Sequence, residues 1–105
     1  SAAQVNYHGI EIPAEALAAL CRRHHIRRLA LFGSILRDDF GPESDIDVLV
    51  VFEPGQVPSL LGLAGIELEL TELFGRKADL RTPEDLSRYF RDEVLRESEP
   101  LYVAA

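Results

Sequence analysis

The chain lacks methionine and tryptophan entirely and holds one cysteine among 105 residues. Lone Cys21 cannot close an internal disulfide, and its place in an apolar helical pattern assigns it to the core rather than to thiol chemistry. A reducing cytoplasm is the simplest setting for such a chain. The missing initiator methionine implies a processed or trimmed start. Positive charge is scarce: 11 Lys and Arg stand against 18 Asp and Glu, a net charge of -7. That balance argues against direct binding of nucleic acid, which needs clustered cations, and suits a basic protein partner better. The one basic patch, Arg22-Arg23-His24-His25 with Arg27-Arg28, reads as a solvated helix end. Long apolar runs are absent too. The longest, Val48 to Phe52, falls far short of the ~20 residues needed to cross a bilayer, so no membrane span is expected. Ser1-Ala2-Ala3-Gln4 has neither a basic start nor an apolar stretch, so no retained leader is expected. His8, His24 and His25 show no zinc-like spacing with other ligands.

What is present is an ordinary folded composition, 47% hydrophobic and 28% charged, too apolar for a disordered chain. The length suits one domain over residues 1–105, with the active site built on the core itself. Apolar spacing predicts a helix from about Pro13 to His25. A short strand follows over Arg28–Phe32, stopped by Gly33. Ser34 to Phe40 has room for two helical turns before Gly41-Pro42. The longest β signal runs from Asp45 to Phe52. Pro58 opens a helix whose Leu63, Ile66, Leu70, Leu73 and Phe74 form a stripe closed by Gly75, with Glu67, Glu69 and Glu72 on its wet face. Lys77–Arg81 reads as a third strand, Thr82 to about Arg96 as a capped helix, and Pro100–Val103 as a short edge strand. The tyrosines at 7, 89 and 102 are assigned to packing.

Chemistry enters where these elements meet. A strand ending in Gly33-Ser34 before a helix suits phosphate, because glycine lets the backbone approach an anion and helix-start N–H groups face it. Alternation puts Asp45 and Asp47 on one face of their strand, and Asp79 on the face of the third strand opposite Ala78 and Leu80. Only eleven residues, Ile35 to Asp45, separate Ser34 from the second strand's start, too few for a parallel crossover. The two strands are therefore expected to be antiparallel, with Gly33-Ser34 beside Asp45 and Asp47. Three carboxylates are the oxygen donors that a pair of Mg²⁺ ions requires, and such a pair supports in-line nucleotidyl transfer. Asp79, nearest the incoming hydroxyl, is the candidate general base. Arg37 is expected to reach a phosphate or to pair with Asp45 or Asp47. Ser44 is expected to cap its loop or bond a phosphate.

The run Leu31-Phe32-Gly33-Ser34, ten residues, then Asp45-Ile46-Asp47 resembles the signature of the DNA polymerase β-like nucleotidyltransferase superfamily. With Arg37 three residues after Ser34, and Ser44 before the aspartates, it is most similar to the minimal nucleotidyltransferases, strongly over about residues 28–80. The resemblance implies an α+β fold with a small mixed sheet flanked by helices. It implies two Mg²⁺ ions on Asp45, Asp47 and Asp79, and ATP on Gly33, Ser34, Arg37 and Ser44. It further implies a HEPN-type toxin as partner, silenced by AMP placed on a tyrosine hydroxyl, in a homo- or hetero-oligomer of undetermined make-up. Two alternatives stand beside it: an antitoxin that neutralises by contact alone, and a small-molecule transferase of the aminoglycoside type. Two positions depart from the family pattern. Asp38 stands where many relatives have Gly, and Arg81 where an apolar residue is common.

Overall fold

The computed structural model describes residues 4–105; Ser1–Ala3, on which the leader expectation rests, lie outside the described residues. The chain begins with a hairpin that apolar periodicity does not reveal, because its strands, β1 (Gln4–Tyr7) and β2 (Ile10–Pro13), are four residues each. His8 and Gly9 both take positive φ, 53° and 82°, the two-residue geometry that matches strand twist. The Asn6 side chain accepts from the Gly9 N–H. Gly9 ahead of the alternation Ile10-Glu11-Ile12 is the signal that was there to find.

Helix α1 spans Ala14–Arg23, with Pro13 at its N-cap rather than in its first turn and His24 as its C-cap. It buries Leu17, Leu20 and Cys21. Burial pushes the Cys21 thiol up to about 12, so it is a core side chain and no nucleophile at neutral pH. The basic helix end is not simply solvated. Arg23 and His24 both reach Glu69 on the next helix at 2.6 Å. Burial pushes the Glu69 carboxyl up, but hydrogen bonds from Arg23 and His24 outweigh it and hold it below the usual range.

Strand β3 (Ile26–Phe32) is followed by β4 (Ile46–Phe52), helix α2 (Leu60–Phe74), β5 (Ala78–Arg81), helix α3 (Arg88–Glu97) and β6 (Glu99–Val103). Ser59 caps α2 by accepting from the Gly62 N–H, and Gly75, at φ 70°, closes it in the left-handed region. Four strands form one mixed sheet in the order β5-β4-β3-β6. β3 pairs antiparallel with both β4 and β6, and β4 pairs parallel with β5. The antiparallel expectation for the two central strands is met. One face of the sheet, with Leu29, Leu31, Ile46, Val48 and Val50, packs under α1 and α2 in a core shared with Leu17, Ile66, Leu70 and Phe74. Strand alternation sends Asp47 and Asp79 to the other face. No described helix is long and apolar enough to cross a membrane.

Three expectations are corrected. The segment after Gly33 makes one 3-10 turn, Gly33–Leu36, and not two α-helical turns. His8 bonds the Ile35 carbonyl at 2.8 Å, taking the acceptor that a continuing helix would have used four residues on. The expected helix from Thr82 is split into a 3-10 turn, Pro83–Asp85, and α3. Arg91 donates to the carbonyls of Pro83 and Leu86, and Ser87 caps α3 afresh by accepting from the Tyr89 N–H. Tyr7 and Tyr102 pack against the core, whereas Tyr89 is 79% exposed with Arg88 over its ring.

Candidate active site

The end of β3 and the start of β4 meet in register at Phe32 and Asp47. The next residue, Gly33, turns the chain at φ 79°. A Cβ there would fall inside contact distance of Asp47 Oδ2 and within 3.1 Å of its carboxyl carbon. The sequence alone points to glycine for the sake of an approaching anion. The structure adds a nearer reason, since the Asp47 carboxylate fills the space a side chain would take.

Across the parallel pair, Asp47 is the register partner of Asp79. Asp45 lies exposed just before β4, and Asp47 and Asp79 are half-buried. Desolvation raises the Asp47 pKa, and the charge of Asp79 raises it further; Arg81 opposes, Asp45 adds to the rise, and Arg37 opposes. All three aspartates thus share one electrostatic neighbourhood. Coordination is a tighter condition than Coulombic coupling. Among the described residues, no group of three His, Cys, Asp or Glu side chains closes around a common metal position. Asp79 already has a cation partner, for Arg81 donates to both its oxygens, at 3.2 Å each. The donor chemistry nevertheless fits a hard divalent cation: the candidate donors are all carboxylate oxygens, and their mutual repulsion is what a cation would relieve.

Arg37 ends the 3-10 turn and pairs with Asp39 at 3.2 Å, and not with Asp45 or Asp47. Its charge still reaches Asp47. Ser44 closes its loop, its Oγ accepting from the Gly41 N–H at 3.0 Å. Two distant side chains fasten this loop. His8 stacks on Phe40 from one flank while bonding Ile35. Arg76 lies over Phe40 from another and donates to the Gly41 carbonyl. A cavity of about 290 Å³ opens beside Gly33, lined by Phe32, Leu36, Arg37, Val94 and Glu97.

β5 is an edge strand, yet its outward N–H groups are not left to solvent. Ala78 donates to Thr71 Oγ1 at 3.0 Å and Leu80 to Glu67 Oε2 at 2.7 Å. Of the three glutamates placed on the wet face of α2, only Glu72 is exposed; Glu67 holds β5 and Glu69 holds α1. Glu67 and Thr71 flank Asp79 in space and fix the backbone that presents it. Their spacing of four on one helix face is the only trace in the sequence. Truncation Glu67→Ala should release the Leu80 amide at a cost of about 1 to 2 kcal/mol. Urea unfolding reads that loss, and hydrogen exchange should show it concentrated at Leu80. Unchanged protection there would remove the pinning role.

The profile of the nucleotidyltransferase domain family matches residues 14–101. Protein adenylyltransferase MntA of Thermococcus cleftensis is 37% identical over 78 residues, 74% of this chain and 77% of the relative. A solved structure described as a candidate minimal nucleotidyltransferase superposes with a TM-score of 0.69 at 39% identity, over 83% of this chain and 87% of that one. The fold also matches a structure of the tri-AMPylated Shewanella oneidensis HEPN toxin in complex with MNT antitoxin. There the TM-score is 0.61 at 18% identity, over 87% of this chain and 70% of that one.

Proposed function

The chain belongs to the nucleotidyltransferase domain family, and from that premise we propose that it transfers AMP from ATP to a tyrosine hydroxyl of a HEPN-type partner, acting as the antitoxin of that pair. The observation that carries the reading is the meeting of Gly33, Asp47 and Asp79 at one end of the sheet, with Asp47 in register with both β3 and β5. A MntA relative named as a protein adenylyltransferase supports the protein acceptor, and the fold shared with an AMPylated HEPN complex supports the partner class.

Asp45, Asp47 and Asp79 would hold divalent ions of the Mg²⁺ class, which supply Lewis acidity at the phosphates. Gly33 and Ser34 bind the phosphate chain where β3 ends, and Arg37 needs only to exchange Asp39 for a phosphate oxygen to neutralise its tail. Ser44 shapes the loop that presents Asp45. Asp79 accepts the proton of the incoming tyrosine hydroxyl. A bond forms between the tyrosyl oxygen and the α-phosphorus, and the bond to pyrophosphate breaks. The net charge of -7 favours encounter with a basic acceptor.

Incubation of the chain with ATP, Mg²⁺ and a HEPN-type protein should add AMP masses to tyrosine of that protein. Loss of the added mass with the Asp47→Asn enzyme supports the assignment. No transfer by the unaltered chain overturns it, and neutralisation by Asp47→Asn equal to that of the unaltered chain favours contact alone.

A further inference from the structure

Arg81 follows Asp79 by two residues on β5, so the two side chains leave the same face of the strand. Its Nε donates to Oδ1 of Asp79 and its terminal Nη2 to Oδ2, which occupies both carboxylate oxygens with one planar fork. Asp47 and Asp85 also lie within its field. Arg37, the other cation whose charge reaches Asp47, is hydrogen-bonded to Asp39. The backbone under Asp79 is held on both sides, by register pairing to β4 and by Thr71 and Glu67 at the outer edge. Freeing Asp79 is therefore a side-chain rotation. The partner that must move is half-exposed and has water to move into.

We propose that Arg81 is the resident counter-cation of the three-aspartate cluster: it covers Asp79 and competes with a divalent ion for that carboxylate. The proposal rests on the reading that Asp79 is a metal ligand. It accounts for two observations together: the three aspartates share one electrostatic neighbourhood, yet no three of them close on a common point among the described residues. Arg81 is a positioning residue here, acting on the metal site through Asp79. A lysine keeps the charge but cannot span both oxygens, which separates competition for Asp79 from long-range repulsion of the ion.

The test titrates Mn²⁺ into the full chain without nucleotide and follows the bound ion by paramagnetic resonance. Arg81→Ala should bind Mn²⁺ roughly fivefold more tightly, the upper end for loss of one half-exposed pair. Arg81→Lys should move most of the way to the alanine value, and the gain should vanish when Asp79→Asn is added. Equal or weaker binding by Arg81→Ala, with binding still lost in Asp47→Asn, overturns the counter-cation and leaves the metal site standing. Arg81→Lys identical to the unaltered chain while Arg81→Ala tightens overturns it in favour of long-range charge alone. Mn²⁺ binding that none of these substitutions changes overturns the metal site, and the counter-cation with it.

Discussion

Asp47→Asn is expected to abolish transfer while raising the melting temperature of the metal-free chain. Loss of residues that merely orient metal ligands already costs 10- to 100-fold in comparable sites, so loss of Asp47, proposed above as a direct ligand, should exceed about a hundredfold. The stability effect has the opposite sign, for a physical reason. Desolvation first, then Asp79 and Asp45, raise the folded pKa of Asp47 above its unfolded value. Such a group favours the fold below the usual carboxylate range, and that contribution is lost as pH rises through the raised pKa. At neutral pH the ionised Asp47 strains the cluster, and the amide, of nearly the same shape, does not. Calorimetry across pH should therefore show the unaltered chain losing stability, relative to Asp47→Asn, as pH rises from the ordinary carboxylate range through the raised pKa of Asp47. Mg²⁺ should restore it to the unaltered chain by binding the folded state, and do less for the variant. A variant that melts lower than the unaltered chain at neutral pH contradicts this account of the cluster.

Gly33→Ala is the second large effect. Alanine at φ 79° costs about 1 to 2 kcal/mol, and forcing its methyl against Asp47 adds about 1 to 3 kcal/mol unless the carboxylate swings away. Either outcome should lower transfer, because the proposed site needs Asp47 held beside Gly33 and Asp79. Gly9→Ala supplies the control. Gly9 has the same left-handed backbone, φ 82°, with nothing within 4 Å of its would-be Cβ. Urea unfolding of the two variants should thus differ by the Asp47 contact alone, and only Gly33→Ala should lose transfer. Equal losses in both would mean that the conformation, and not the carboxylate, demands glycine at 33.

The centre of the site was legible because its parts are close in sequence and obey short periods. A stopped strand, a short connection and a second strand with alternate aspartates leave little choice but an antiparallel pair. The periphery was not. Helical room after Ser34 was read from local spacing, but His8, 27 residues away, claims the Ile35 carbonyl and stops the turn. Arg37 then falls outside any helix and takes Asp39. Glu67 looked like a solvated glutamate because a helical face cannot announce that a strand edge, 13 residues on, needs an acceptor. The β1–β2 hairpin was invisible to a period that needs longer strands to register.

By itself, then, the sequence determined that Gly33-Ser34 and Asp45-Ile46-Asp47 belong to one turn-linked strand pair, and it singled out the three carboxylates to which the proposed chemistry is assigned. It did so because alternation and loop length are local constraints. Only the tertiary structure decided that Asp79 stands in register with Asp47, that Glu67 and Thr71 hold it there, and that Arg81 covers it. The register and the Glu67 and Thr71 bonds are contacts between elements, set by how a parallel edge strand packs beneath a helix, whereas the Arg81 fork lies within β5 and is a rotamer choice that alternation permits but does not fix. The same packing gave Gly33 its second meaning: the space it leaves empty is filled by the Asp47 carboxylate.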